Sequence, residues 1–121
     1  MKKTVIIGAT PNQSRYAFLA AERLRENDID FIPVGIKKGI VLGQEILDLK
    51  TRPDISDVDT LTLYINPSHQ DEWYDYFFKL KPKRVIFNPG TENPELEKQL
   101  EEKGIEAIEA CTLVMLRTGQ Y

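Results

Sequence analysis

The chain has few residues of the kinds that most often carry catalysis or cross-links. Among its 121 residues there are one cysteine, Cys111, and one histidine, His69. A single cysteine excludes an internal disulfide and a cluster of thiolate metal ligands. Acidic residues outnumber basic ones, and the net charge is −3. The chain therefore lacks the basic surplus typical of nucleic-acid binding, and we expect no nucleic-acid partner.

Long apolar runs are also missing. A membrane-spanning helix needs about 20 consecutive apolar residues, and no segment of the chain approaches that length. The first residues, MKKTVIIG, resemble the start of a signal peptide, but their apolar run covers only residues 5–7, and charge returns at Arg15. A buried first strand explains this pattern better. We therefore expect a cytoplasmic protein without a membrane partner.

Apolar, β-branched segments alternate with amphipathic helical patterns along the whole chain. Strands are predicted over residues 4–7, 31–34, 60–65, 84–87 and 105–108, with a short additional strand over 45–47. Helices are predicted over residues 14–26, 69–80 and 94–103, with a short helix or turn over 111–117. This alternation predicts parallel strands joined by right-handed crossovers. We expect one domain over residues 1–121, with an α/β fold: a Rossmann-like three-layer αβα sandwich whose mostly parallel sheet has five or six strands.

Loops rich in glycine, asparagine and proline follow the predicted strands. They are GATPNQSR (8–15), VGIKKG (34–39), INPSH (65–69) and NPGTEN (88–93). Because parallel strands end at one edge of a sheet, these loops should meet at one rim, where such folds bind ligands. Gly8 allows a tight turn and close approach of a phosphate, and the following helix offers unpaired amides. A plain turn without a ligand is the alternative interpretation.

The residues around this rim favour some nucleotides over others. The dinucleotide pattern would place further glycines at Thr10 and Gln13, and an acidic residue after the second strand. That corner instead carries Lys37 and Lys38, which suit a ribose phosphate unless they are simply solvated. NADP or coenzyme A therefore fits better than NAD. A Walker loop is excluded, because Gly8 is not followed by Gly-Lys-Ser/Thr at the required spacing.

Several segments, in order and over almost the whole chain, carry a resemblance to a known family. The segments VIIGATPNQSRYAF, FIPVG, VLG, LYINP, NPGTENPE and EAC resemble the small stand-alone CoA-binding proteins, which are similar in fold to the CoA-binding domain of the succinyl-CoA synthetase alpha subunit. The resemblance implies a set of CoA contacts at Gly8, Ala9, Thr10, Arg15, Val34, Lys38 and Pro67. The first four would contact the diphosphate, the next two the ribose phosphate, and Pro67 would lie near the adenine. The segment NPGTEN would border the pantetheine arm.

No catalytic constellation is recognisable in the sequence. His69 is suited to general-base chemistry, but a solvent-facing position is the simpler interpretation, and Cys111 either approaches the CoA thiol or packs as a small apolar residue. The aromatic group WYDYFF, residues 73–78, is a candidate homodimer face. We therefore expect non-catalytic binding of coenzyme A or an acyl-CoA. The alternatives are a fragment of an NADP-dependent oxidoreductase and a regulatory protein with a degenerated nucleotide site. The regulatory alternative would suit two departures from the pattern of the family that the chain resembles. These are the loss of Asn-Pro after Val34 and the loss of an arginine before Cys111.

Overall fold

A computed structural model of the chain describes residues 3–121. Its elements, in chain order, are β1 (Thr4–Ile7), α1 (Tyr16–Glu26), β2 (Phe31–Gly35), β3 (Ile40–Val41), β4 (Gln44–Glu45), β5 (Leu47–Asp48), β6 (Thr60–Leu63), α2 (Tyr74–Leu80), β7 (Arg84–Phe87), α3 (Pro94–Glu102), β8 (Glu106–Glu109) and α4 (Thr112–Arg117). Short 3-10 helices cover Leu49–Thr51, Pro67–His69 and Asp71–Trp73.

Within residues 3–121, six strands form one parallel sheet in the order β5-β2-β1-β6-β7-β8. Strands β3 and β4 form a separate antiparallel pair. The chain runs outward from β1 through β2 to β5, and then returns to place β6 on the other side of β1. The strand order therefore reverses between β1 and β6, and ligands bind beyond the carboxyl ends of the strands at such a point. The predicted α/β fold class is confirmed, with six strands.

The central strands are apolar because both faces of the sheet are covered. All four residues of β1 are buried, and alternate side chains point to opposite faces. Val5 and Ile7 pack in one hydrophobic cluster with Phe77 of α2 and Leu100 of α3. Ile6 packs in a second cluster, which includes Leu24 of α1. Two hydrophobic cores on opposite faces of the sheet make the three-layer sandwich.

The helix predicted over residues 69–80 is wrong in its first part. Two 3-10 turns come first, and α2 begins only at Tyr74. The amide of Ser68 donates to Oδ1 of Asn66, which caps the first 3-10 turn. Gln70, between the two turns, is completely buried, and its side chain binds distant backbone atoms. Those contacts hold the segment in tighter turns than its helical pattern favours.

The aromatic segment 73–78 lies mostly inside the fold. Trp73, Tyr76 and Phe77 are buried, and Tyr74 and Phe78 are half-buried. Most of this aromatic area is therefore used against the sheet, and the homodimer face stays a prediction. No helix among the described residues has both the length and the apolar character needed to cross a membrane.

Candidate functional site

A cleft of about 810 Å³ lies over the carboxyl ends of β1 and β6, where the strand order reverses. Its walls come from the loop after β1, the residues after β2, the segment after β6 and the loop after β7. The structure thus brings together all four loops that the sequence placed at one rim. The volume lies within the range of small-molecule sites, about 300–1,000 Å³.

Gly8 forms the sharp turn that closes β1. Its φ is +95°, and a Cβ at this position would lie 2.8 Å from the carbonyl oxygen of Tyr64. The amides of Gly8 and Ala9 both donate to the carbonyl oxygen of Val34, at 2.8 and 3.1 Å. Glycine is therefore required here by the close approach of the chain to the end of β6, whether or not a ligand is bound.

The rest of the loop before α1 is held by its own hydrogen bonds. The amide of Asn12 donates to Oγ1 of Thr10 at 3.2 Å. The amide and the hydroxyl of Ser14 both donate to Oδ1 of Asn12, at 3.0 and 2.7 Å. The amide of Arg15 donates to the carbonyl oxygen of Asn12. The loop is therefore pre-formed, and the Thr10 hydroxyl keeps its own proton available for a further hydrogen bond.

The start of α1 presents unpaired donors and positive charge to the cleft. Among the described residues no side chain caps this helix, and its first turn contains no acidic residue. The amides of Tyr16 and Ala17 have no intrahelical partner because of their position, and both residues line the cleft. Arg15 and Lys37 also line the cleft and are exposed. The start of α1 is therefore suited to an anion.

Three apolar side chains from the α2 face of the sheet line the cleft, and we call them its apolar end; the exposed Glu72 also lines the cleft, next to Trp73 in the chain. The three are Leu49, Ile65 and Trp73, which belong to, or pack against, the hydrophobic cluster on that face. The guanidinium carbon of Arg52 lies 4.8 Å from the centre of the Trp73 ring. Sequence analysis missed Leu49 and Trp73 as cleft residues. The only signal for Trp73 was its aromatic character close to a rim loop.

Tyr64 is another cleft residue that sequence analysis missed. Its Oη is buried near the hydroxyls of Thr62 and Thr112, yet it makes no hydrogen bond among the described residues. Burial raises the pKa of Tyr64 to about 12, although these hydroxyls act in the opposite direction. The side chain is therefore a neutral phenol at physiological pH, and its hydroxyl is buried inside the fold.

The residues named from the resemblance occupy different positions around the cleft. Gly8, Ala9, Thr10 and Arg15 all line it. The other contacts from the resemblance do not line it within residues 3–121; they are Val34, Lys38 and Pro67. Their predicted ligand contacts stay predictions.

Two of these positions have a local cause. The Val34 side chain is completely buried in the core, so only its carbonyl reaches the loop. Lys37 lines the cleft instead of Lys38, because the chain bends directly after β2 and the bend turns Ile36 and Lys37 to the cleft. Beside Pro67, Asn66 and His69 line the cleft.

Cys111 is half-buried at the start of α4 and, among the described residues, does not line the cleft. It lies close enough to Tyr64 to add to the raised pKa of that phenol, of which burial is the main cause. The predicted thiol contact with a ligand therefore receives no support from this geometry.

Within residues 3–121, no group of three or more histidine, cysteine or acidic side chains could hold a metal ion.

A second depression, of about 520 Å³, is lined by Glu97, Lys98 and other side chains of α3 alone. Burial and the neighbouring carboxylate of Glu109 raise the pKa of Glu97. Because one helix provides the whole lining, this is a surface groove and not a site between converging elements.

The model of a family described as a CoA binding domain matches residues 2–117, nearly the whole chain. The chain belongs to the CoA-binding domain family. No match was found among curated proteins. The cleft described above is therefore the candidate ligand site of a CoA-binding domain.

Solved structures share the fold of this CoA-binding domain. A crystal structure of an uncharacterized protein is 61% identical, with a TM-score of 0.97, and the match covers 100% of this chain and 98% of that one. A hypothetical protein from Pyrococcus horikoshii OT3 is 26% identical, with a TM-score of 0.83 and coverage of 97% and 82%. A Thermus thermophilus protein is 24% identical, with a TM-score of 0.81 and coverage of 99% and 90%.

Proposed function

We propose that the chain binds coenzyme A or an acyl-CoA in the cleft over β1 and β6 and does not catalyse the ligand's chemistry. The observation that carries this proposal is the uncapped, cationic start of α1, which opens into the cleft of a chain with a CoA-binding domain. A nucleoside diphosphate is the kind of anion that such a helix start accepts.

The diphosphate would lie between the first loop and the start of α1. The amides of Tyr16 and Ala17 supply two backbone hydrogen-bond donors. The Thr10 hydroxyl supplies a side-chain donor, and Arg15 supplies a positive charge. Because the loop is already held by hydrogen bonds through Asn12, little order has to be created when the ligand binds.

The ribose phosphate would lie near the end of β2. Lys37 lines the cleft there, so it is better placed than Lys38 to pair with a phosphate. A pair of this kind favours ligands with a phosphate on the ribose over those without one. NADP shares this property with coenzyme A, and is therefore the competitor that a test must include.

The pantetheine arm would run toward the apolar end. Leu49, Ile65 and Trp73 provide apolar contact, and Pro89 and Gly90 of the NPGTEN segment form the adjoining wall. An arm with two amides and a methylene chain suits such a mixed surface, which has apolar side chains and nearby loop carbonyls.

The state of the cleft's side chains supports binding without catalysis. Tyr64 holds its proton strongly, because burial raises its pKa to about 12. His69 is exposed at the rim, and Cys111 lies outside the residues that line the cleft. An activated nucleophile needs an adjacent base or a lowered pKa, and these residues offer no such pair.

Titration calorimetry with CoA, acetyl-CoA, dephospho-CoA, NADP and NAD, at matched ionic strength, tests the proposal. We expect CoA to bind more tightly than dephospho-CoA, by about 1–3 kcal/mol, and more tightly than NADP or NAD. Incubation with acetyl-CoA should release no free thiol. Tighter binding of NADP would favour the oxidoreductase alternative, whereas no binding of any ligand would favour a regulatory protein with a degenerated site.

A further inference from the structure

One buried carboxamide connects two walls of the cleft. Gln70 is completely buried, and its Nε2 donates to the carbonyl oxygen of Ile65 at 2.8 Å and to that of Thr91 at 2.9 Å. Its Oε1 accepts from Nδ2 of Asn93 at 2.9 Å. Both hydrogens of the amide and its oxygen are therefore used. We call Gln70, with its partners Ile65, Thr91 and Asn93, the Gln70 clasp.

The two carbonyls that Gln70 binds belong to different loops. Ile65 follows β6 and Thr91 follows β7, and both residues line the cleft. The paired residues of β6 and β7 end with Leu63 and Phe87, so beyond that point the loops have left the strand ladder. The Gln70 clasp joins them there, at the level of the cleft.

Asn93 fixes the orientation of the clasp. Its Nδ2 also donates to Oη of Tyr74 at 2.8 Å, and its Oδ1 accepts from the amide of Leu96, which caps α3. A reversed Gln70 amide would place its oxygen against two carbonyl oxygens and its nitrogen against the Asn93 amide. The arrangement therefore has a single chemically consistent orientation.

We propose that Gln70 is a positioning residue that sets the spacing between the loops after β6 and β7, and thereby the affinity of the cleft for its ligand. The affinity part rests on the proposed CoA function. A buried glutamine that served stability alone could bond to any nearby groups, whereas both amide hydrogens of Gln70 are used on the walls of one cleft.

The test replaces Gln70 with methionine, which has a similar shape and no donor. Gln99→Met is the matched control, since Gln99 is half-buried on α3, away from the cleft, and its nearest partner is Glu95 at 3.5 Å. We expect Gln70→Met to weaken CoA binding by about tenfold, and Gln99→Met to leave it unchanged. Affinity is measured by calorimetry and by the fluorescence of Trp73, the one tryptophan of the chain, at a temperature where all variants are folded.

Amide hydrogen exchange provides a readout that needs no ligand. Peptides covering residues 64–70 and 88–93 should exchange faster in Gln70→Met than in Gln99→Met, with other peptides unchanged. If Gln70→Met does not fold, Asn93→Asp replaces it. That change keeps the oxygen that caps α3 and removes the donor to both Gln70 and Tyr74. We therefore expect weaker CoA binding and faster exchange in the two loops, with faster exchange around Tyr74 as well.

The outcomes separate the clasp from the proposed function. If the wild type binds CoA, the CoA affinity of the variants tests the positioning role. A Gln70 variant that is less stable but binds CoA as tightly as the control overturns that role. If the wild type does not bind CoA, the proposed function fails, and amide hydrogen exchange then tests the clasp. Faster exchange in both loops then supports the clasp, and unchanged exchange overturns it.

Discussion

Replacing Gly8 with alanine separates the two reasons for a glycine in the first loop. A Cβ at Gly8 would lie 2.8 Å from the carbonyl oxygen and 3.0 Å from the carbonyl carbon of Tyr64. These are backbone atoms at the end of β6, so they cannot relieve the clash by a change of rotamer, as a flexible side chain would. Gly8→Ala must therefore shift the turn after β1, the end of β6, or both.

The expected loss of stability has two parts. A non-glycine residue in left-handed backbone costs about 1–2 kcal/mol, and overpacking against fixed atoms costs about 1–3 kcal/mol. Gly90 is a matched control, because its φ of +92° is close to the +95° of Gly8 but no atom of residues 3–121 lies within 4 Å of its added Cβ. Gly90→Ala should therefore show the first cost alone, and the difference between the variants should be about 1–3 kcal/mol.

Urea unfolding of the wild type and both variants measures these costs, with m-values checked for equality. Equal destabilisation by Gly8→Ala and Gly90→Ala would refute the contact argument. The same geometry explains why a Gly8 substitution is a poor test of phosphate binding. A loss of CoA affinity in such a variant would follow from displacement of the loop as readily as from a clash between the new side chain and the ligand.

Three further outcomes follow from the placement of other side chains. Lys37→Ala should weaken CoA binding by about tenfold or more and leave dephospho-CoA binding unchanged. Lys38→Ala is the control, and equal effects of the two variants in calorimetry would contradict this prediction. Burial raises the pKa of Tyr64 from 10.0 to about 12, so the folded state holds this proton more tightly than the unfolded chain. The free energy of unfolding should therefore be retained below pH 10 and fall from there to pH 12, and Tyr64→Phe should make that fall shallower in denaturation curves. Cys111→Ser should leave CoA affinity unchanged in the same calorimetry, since Cys111 does not line the cleft among the described residues; a clear loss of affinity would place the thiol at the ligand.

The regular elements could be predicted because their causes are local. Strands β1 and β7 have the predicted bounds, since short β-branched runs between turn residues give a strong pattern. The segment from Pro67 to Trp73 was not predicted correctly, because the buried amide of Gln70 binds Thr91, 21 residues away. Hydrogen bonds of that range leave no periodic signal in the sequence.

The wall of the candidate site formed by the first loop and the start of α1 was predictable, and the apolar end was not. Gly8 and Arg15 follow a strand and precede a helix, so their place at the rim follows from the topology alone. Leu49 and Trp73 reach the cleft from 3-10 turns, where side-chain direction depends on tertiary packing. The choice between Lys37 and Lys38 likewise depends on a bend after β2 that the sequence does not specify.

The corner after β2 gives a physical reason for one departure from the family pattern. At Gly35, where the resemblance implies an asparagine, a Cβ would lie 2.7 Å from the carbonyl oxygen and 3.1 Å from the nitrogen of Ala9. Glycine therefore lets the end of β2 pack directly against the backbone of the loop after β1, while the carbonyl oxygen of Val34 accepts hydrogen bonds from that loop's first two amides. A side chain at position 35 would force the loop away from β2. The glycine is thus a packing requirement of the loop in this chain, and its presence is not by itself an argument for a degenerated site.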